Sequence, residues 1–229
     1  MFQVMRWGKS ALAEVSIPHC AKVLHITDRE RKLYIMSTLR EDFVKFARKY
    51  DGTSAIGNGS EAYLDLLSRK FETAQMRKDM GKMSSCALFV RSLWWCFGAE
   101  HPIYEKPYKI SYAPIDVLKI GKERKAFVEG NQLSQIKYPK PGDVFYVGEN
   151  GKREHFGVIA EEISRVAPGS WTYITIDGGQ GDGGRAIAQR HRTLLKLNSI
   201  FGKMSGITLV GWFDLDAMQL PGLRPELRE

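Results

Sequence analysis

Cys86, His155 and Asp177 are the residues whose types and order could do covalent chemistry in this chain. A thiol becomes nucleophilic when its pKa falls, and a helix start lowers it through the partial positive charge of unpaired N–H groups. Cys86 follows Ser84-Ser85, a good N-cap pair, and Phe89, Val90, Leu93, Trp94 and Phe97 follow at helical spacing until Gly98 stops the run. The thiol is therefore expected one or two residues inside a helix. Cys96 falls mid-helix among tryptophans and Cys20 in an apolar-basic stretch, and neither context activates a thiol.

A thiolate also needs a proton carrier. Of His19, His25, His101, His155 and His191, only His155 opens a strand-like run, His155-Phe156-Gly157-Val158-Ile159-Ala160, directly after a turn. Pro141-Gly142-Asp143-Val144-Phe145-Tyr146 supplies a strand to pair with it. His191 stands between Arg190 and Arg192, which disfavour its imidazolium, and reads as a solvated residue. A third group must hold the imidazole tautomer. Thr175-Ile176-Asp177-Gly178-Gly179-Gln180 offers Asp177 at a strand end, accepting from Nδ1–H, with Gln180 as the competing choice. Taken singly, each residue has an ordinary reading: a small buried hydrophobe, a surface histidine, an Asp-Gly-Gly turn. Their order along the chain is what favours chemistry.

The elements that must position them change character along the chain. Residues 1–80 read as mainly helical, with an amphipathic run from Glu41 to Tyr50 and another from Glu61, capped by Ser60. Lys22–Ile26 and Leu33–Met36 read as a short hairpin around a charged turn. Residues 99–140 are proline-rich and loop-like. Short strands follow at Asp143–Val147, His155–Ala160, Trp171–Ile176 and Thr208–Phe213, with a glycine-rich stretch from Gly178 to Gly184. Helices first and strands second is the α+β pattern. Leu220–Glu229 reads as a loose tail.

Composition narrows the class. The chain has 229 residues, 43% hydrophobic and 26% charged, which is ordinary globular composition. Three cysteines and no Cys-x-x-Cys pair give neither a disulfide framework nor a zinc site, and no cofactor motif is present. No apolar run reaches the roughly 18 residues of a membrane span. Met1–Val15 lacks the apolar core of a signal peptide, so synthesis in the cytoplasm is expected. The net charge of +8 is scattered and mixed with acids, which reads as a basic solvated surface rather than a specific nucleic-acid site.

Ser84-Ser85-Cys86-Ala87-Leu88-Phe89-Val90, Pro141-Gly142-Asp143-Val144, His155-Phe156-Gly157-Val158-Ile159 and Ile176-Asp177-Gly178-Gly179-Gln180, in that order, resemble the papain-like cell-wall amidases of the NlpC and CHAP type. The resemblance covers about residues 80–215. It implies a papain-like α+β domain over 81–219, with the nucleophile helix packed on a small antiparallel sheet. A helical 1–80 region would precede it as a cap, and a 220–229 tail would follow. It further implies a peptidoglycan hydrolase that cleaves an amide bond without metal or cofactor. Cys86 would be the nucleophile, His155 the acid and base, and Asp177 the orienting residue. Ser85, Gln180 and Tyr63 would lie on the substrate side, Tyr63 as the candidate oxyanion tyrosine. The helix start, Ser-Ser-Cys-Ala, departs from the usual acid-Cys-Ser-Gly, and Asp177 stands where many relatives have His, Asn, Gln or Glu.

The implied setting is an antibacterial toxin delivered by type VI secretion, or a phage lysis enzyme. Such a protein acts in the periplasm or cell wall of a target cell and can have an immunity protein or a secretion-machine component as partner. The competing class is a catalytically silent papain-like module that binds wall or a partner through an aromatic-rich cleft.

Overall fold

The computed structural model of the chain describes residues 28–57, 59–68, 85–99, 113–149, 152–165, 170–196 and 206–228. Its helices are α1 (Asp28–Arg48), α2 (Ser60–Ser68), α3 (Cys86–Cys96), α4 (Ala113–Glu123) and the single turn α5 (Leu215–Met218). Its strands are β1 (Phe127–Glu129), β2 (Val144–Glu149), β3 (Lys152–Arg165), β4 (Ser170–Gln180), β5 (Ala186–Lys196) and β6 (Gly206–Phe213). The strand order is β1-β6-β2-β3-β4-β5, and β5 also pairs with β6. That last ladder is parallel, from Thr193 opposite Gly206 to Lys196 opposite Leu209. It closes β2 to β6 into a five-stranded barrel, with β1 appended on β6.

Period-two alternation sorts the strand residues between two cores. Phe145, Val147, Ile159, Trp171, Tyr173, Leu194, Leu209 and Trp212 fill the barrel lumen with Leu133. Val144, Tyr146, Phe156, Val158, Ile176, Ile187 and Phe213 face outward and pack with apolar residues of the helices. α3 lies against the outer face of β3 and β4. Leu88, Phe89, Val90, Leu93 and Trp94 are all buried along it.

The closed barrel corrects the expected architecture. A papain-like nucleophile helix on a small open antiparallel sheet is not what forms. β5 and its parallel pairing with β6 close the sheet on itself, and a barrel removes the exposed edges that an open sheet leaves. β5 escaped the sequence reading because Gln189-Arg190-His191-Arg192 looks like a solvated charge cluster. Leu33–Met36, read as half of a hairpin, lies within α1, while Lys22–Ile26 falls outside the described residues. Ala113–Glu123, in the stretch read as loop, is helical.

The C-terminal segment is docked rather than loose. Gly222 N donates to Phe97 O at 3.3 Å and Arg224 N to Cys96 O at 2.9 Å. Arg224 Nε donates to Trp95 O, and its guanidinium lies 4.5 Å over the Trp95 ring. The last carbonyls of a helix need such partners, and the tail supplies them to α3. No described helix is long and apolar enough to cross a membrane.

An ionic cluster ties α1 to the barrel. Arg40 donates to Asp143 Oδ1 at 2.8 Å, to Pro141 O at 2.7 Å, and to Asp214 and Asp216 at 2.9–3.0 Å. Asp143 also accepts from the backbone N–H groups of Leu215 and Lys140. The Pro-Gly-Asp segment is thus an anchor at the start of β2. Burial pushes the Asp143 carboxyl up to about 6, although Arg40 and the two backbone donors pull it down. The folded state therefore holds a proton here that the unfolded carboxyl, near 3.9, has released. Ionising Asp143 costs stability as pH rises from about 4 through about 6. Arg40→Met removes the counter-charge and is expected to lower stability by about 3–5 kcal/mol at about pH 8, and by less at about pH 5 where Asp143 can protonate. Urea unfolding at the two pH values measures both; an equal loss at each would contradict this role.

Candidate active site

α3 begins at Cys86 because Ser85, at φ −107° and ψ 5°, stands outside the helix. Ser85 does not cap it with its side chain. Instead Ser85 Oγ accepts from Gly179 N at 2.9 Å, and Ser85 N donates to Gly184 O at 3.1 Å. The helix start is thereby fastened to the glycine-rich end of β4. Gly178 permits the contact. A Cβ there would stand 2.7 Å from Phe89 Cβ, 2.8 Å from Ser85 O and 3.1 Å from Cys86 Cα.

His155 and Asp177 come from adjacent strands on the lumen side. Asp177 pairs in register with Gly157, and a Cβ at Gly157 would meet Asp177 Oδ1 at 2.7 Å and Phe145 at 2.6 Å. The glycine leaves the volume in which the carboxylate sits. Asp177 is completely buried, and its Oδ2 lies 2.7 Å from His155 Nε2. The ring is therefore oriented through Nε2, not through Nδ1 as expected, which leaves Nδ1 as the nitrogen for the thiol. Phe145 flanks the imidazole with ring centroids 5.9 Å apart.

Burial works against charge on both partners of the thiol–imidazole pair. It pushes the Cys86 thiol up, yet the hydrogen bond and charge of His155, with the N–H groups of Phe156 and Ala87, bring it below its ordinary value. Burial likewise pushes the imidazolium down, but hydrogen bonds to Asp177 and Cys86 and the charges of both raise His155 to about 9. Both shifts favour the thiolate–imidazolium form of the pair, the arrangement an activated cysteine needs. The two groups titrate as a coupled unit.

The other sequence candidates are placed differently. Ser85 is buried and engaged with the glycine-rich turn, so it positions the helix rather than meeting a substrate. Gln180 does not reach His155; its Oε1 accepts from Arg190 Nε at 3.0 Å and its Nε2 donates to Gly178 O at 3.4 Å. Tyr63 is completely buried beside Ser85, and burial raises its pKa although the Ser85 hydroxyl and the Arg185 charge pull it down. Cys96 is buried and His191 exposed, while Cys20, His19, His25 and His101 fall outside the described residues.

Arg192, on β5, is the residue the sequence reading missed. Its Nε donates to Asp177 Oδ2 at 2.5 Å. Its one local signal is Leu194 two residues on, whose side chain fills the lumen, and the polar Gln189–Arg192 segment hides it. Among the described residues no group of His, Cys, Asp and Glu could hold a metal ion. No family model, curated protein or solved structure matches the chain, so the site is read from its own chemistry.

Alkylation should report this electrostatic state. At about pH 6 iodoacetamide is expected to modify Cys86 in preference to the buried Cys96, and His155→Ala to slow that reaction roughly tenfold or more. Peptide mass spectrometry reads both, and Cys96 reacting first would contradict the assignment. His155 also contributes stability that is fully present below its unfolded value near 6.5 and is lost as pH rises through about 9.

Proposed function

We propose that the protein is a cysteine hydrolase that cleaves an amide bond of peptidoglycan. The observation that carries the reading is the convergence of Cys86 at a helix start, His155 and Asp177, with His155 held on Asp177 at 2.7 Å. In the proposed reaction Cys86 Sγ attacks the amide carbonyl carbon, and the carbonyl π electrons move to oxygen. The Cys86 N–H at the helix start is suitably placed by position to donate to that oxyanion. His155 gives its Nδ1 proton to the amide nitrogen as the C–N bond breaks, and the amine leaves. Water then attacks the thioester carbon while the neutral ring takes one of its protons, and the C–S bond breaks, which releases the carboxylic acid (ionised afterwards to solvent) and restores the thiolate–imidazolium pair.

The wall as substrate is supported by the ordered motifs that resemble NlpC- and CHAP-type amidases and by the net charge of +8, which suits an anionic polymer. Delivery to a target cell wall by a secretion machine or during phage lysis fits the same reading.

Purified protein incubated with peptidoglycan sacculi should release new amino groups, and fragment mass spectrometry should locate the bond. Cys86→Ala and His155→Ala should each abolish release while folding is kept. Asp177→Asn should retain a reduced rate, because an amide oxygen can still accept the Nε2–H bond. Intact sacculi after prolonged incubation with wild-type protein, or normal release by folded Cys86→Ala, would overturn the proposal.

A further inference from the structure

We propose that Arg192 is a positioning residue of this site. Its guanidinium and the His155 imidazole share one oxygen of the buried Asp177 carboxylate, so that Cys86, His155, Asp177 and Arg192 form one charge-balanced set. The inference rests on the reading of Cys86 as the nucleophile. Arg192 Nε lies 2.5 Å from Asp177 Oδ2, and a terminal guanidinium nitrogen also contacts that oxygen. The same guanidinium stands 3.5 Å from His155 Nε2. Two donors therefore converge on a single acceptor, and Asp177 Oδ1 accepts from neither. Phe145 backs both cations, its ring 6.0 Å from the guanidinium and 5.9 Å from the imidazole.

With Cys86 as thiolate and His155 as imidazolium, the set carries two negative and two positive charges. A buried carboxylate facing only the imidazolium would leave the thiolate without a net counter-charge. Arg192 supplies it, and its bond to Oδ2 fixes the carboxylate edge that orients the ring. The neighbouring charged groups are engaged elsewhere. Glu154 on β3 accepts from the Tyr146 hydroxyl of β2, and Arg190 on β5 binds Gln180 of β4. His191 points to the opposite face of β5 and is exposed. Arg91 on α3 and Arg185 ahead of β5 have partners of their own, and Arg185 faces Tyr63 of α2.

The balance makes opposite substitutions act in opposite directions. Removing the positive charge with Arg192→Met leaves one excess negative charge, which disfavours the thiolate. Removing the negative charge with Asp177→Asn leaves one excess positive charge, which favours it.

The test is the pH dependence of Cys86 alkylation by iodoacetamide in the full chain, followed by mass spectrometry with folding checked by circular dichroism. Arg192→Met should move the midpoint upward by about one pH unit or more, and Asp177→Asn should move it downward. The double variant should return near the wild-type midpoint, and Arg192→Lys should stay close to it. Should Arg192→Met not fold, Arg192→Gln removes the charge, keeps a donor and must show the same upward shift. An unchanged midpoint in the folded charge-removed variant, or a double variant whose midpoint stays as displaced as that of either single variant, would overturn the proposal. The readout needs no substrate: shifted profiles with undigested sacculi would remove the peptidoglycan reading alone, and digestion with unshifted profiles would remove this inference alone.

Discussion

A carboxylate withdrawn completely from water must be met by cations and donors, because an uncompensated buried charge costs several kcal/mol. Asp177 is that group, and much of the barrel end can be understood as the means of meeting it. Its two cationic neighbours come from the strands on either side, His155 from β3 and Arg192 from β5. Neither would be held there without the ladders that β4 makes with both. Gly157, opposite Asp177 in the register, leaves the space in which the carboxylate lies. The lumen behind is filled with Trp171, Tyr173 and Trp212, which keep that space dry and its electrostatics strong.

The thiol is brought to this pair by a different device. α3 is held on the outside of the barrel by its apolar length, and its first residue is drawn to the barrel end by Ser85, which exchanges hydrogen bonds with the Gly179 and Gly184 backbones. Gly178 is the point of closest approach, where any side chain would strike Ser85, Cys86 and Phe89. At the far end of α3 the C-terminal segment satisfies the carbonyls of Trp95, Cys96 and Phe97. The nucleophile is thus placed by a helix that is fixed at both ends, and the imidazole by a carboxylate that is itself fixed. A reacting group needs such preorganisation, since a displacement of about 1 Å can cost a large part of a rate.

Much of the site was legible in the sequence because its signals are local. An apolar run at helical spacing marks Cys86 as a helix start, although Ser85 does not cap it, and a period-two run marks His155 as a strand residue facing one side, although the strand begins earlier, at Lys152. Asp177 was separable from Gln180 only through the strand register, which places Asp177 opposite Gly157 and sends Gln180 to Arg190. The closed architecture was not legible. It depends on β5, whose central Gln-Arg-His-Arg segment lacks the apolar alternation of a strand because two of its lumen-side positions carry arginines for the polar end of the site. The residue that makes β5 hard to recognise, Arg192, is the one that gives it its place beside Asp177. Asp143 was visible as part of a strand motif, but its bond to Arg40 joins residues too distant in sequence for any local pattern to reveal.

The chemistry of the site depends on the protonation of one ring. Nitrogen NMR of histidine-labelled protein at neutral pH, with His155 assigned by comparison with His155→Gln, observes that ring directly. Burial lowers its pKa, but Asp177 and Cys86 raise it to about 9, so both ring nitrogens are predicted to carry protons and the charge to persist well above neutrality. In Cys86→Ser the ring should lose its proton at lower pH, because the thiolate that helps to hold it is gone. A neutral His155 ring at neutral pH in the wild-type protein, unaffected by Cys86→Ser, would contradict the account.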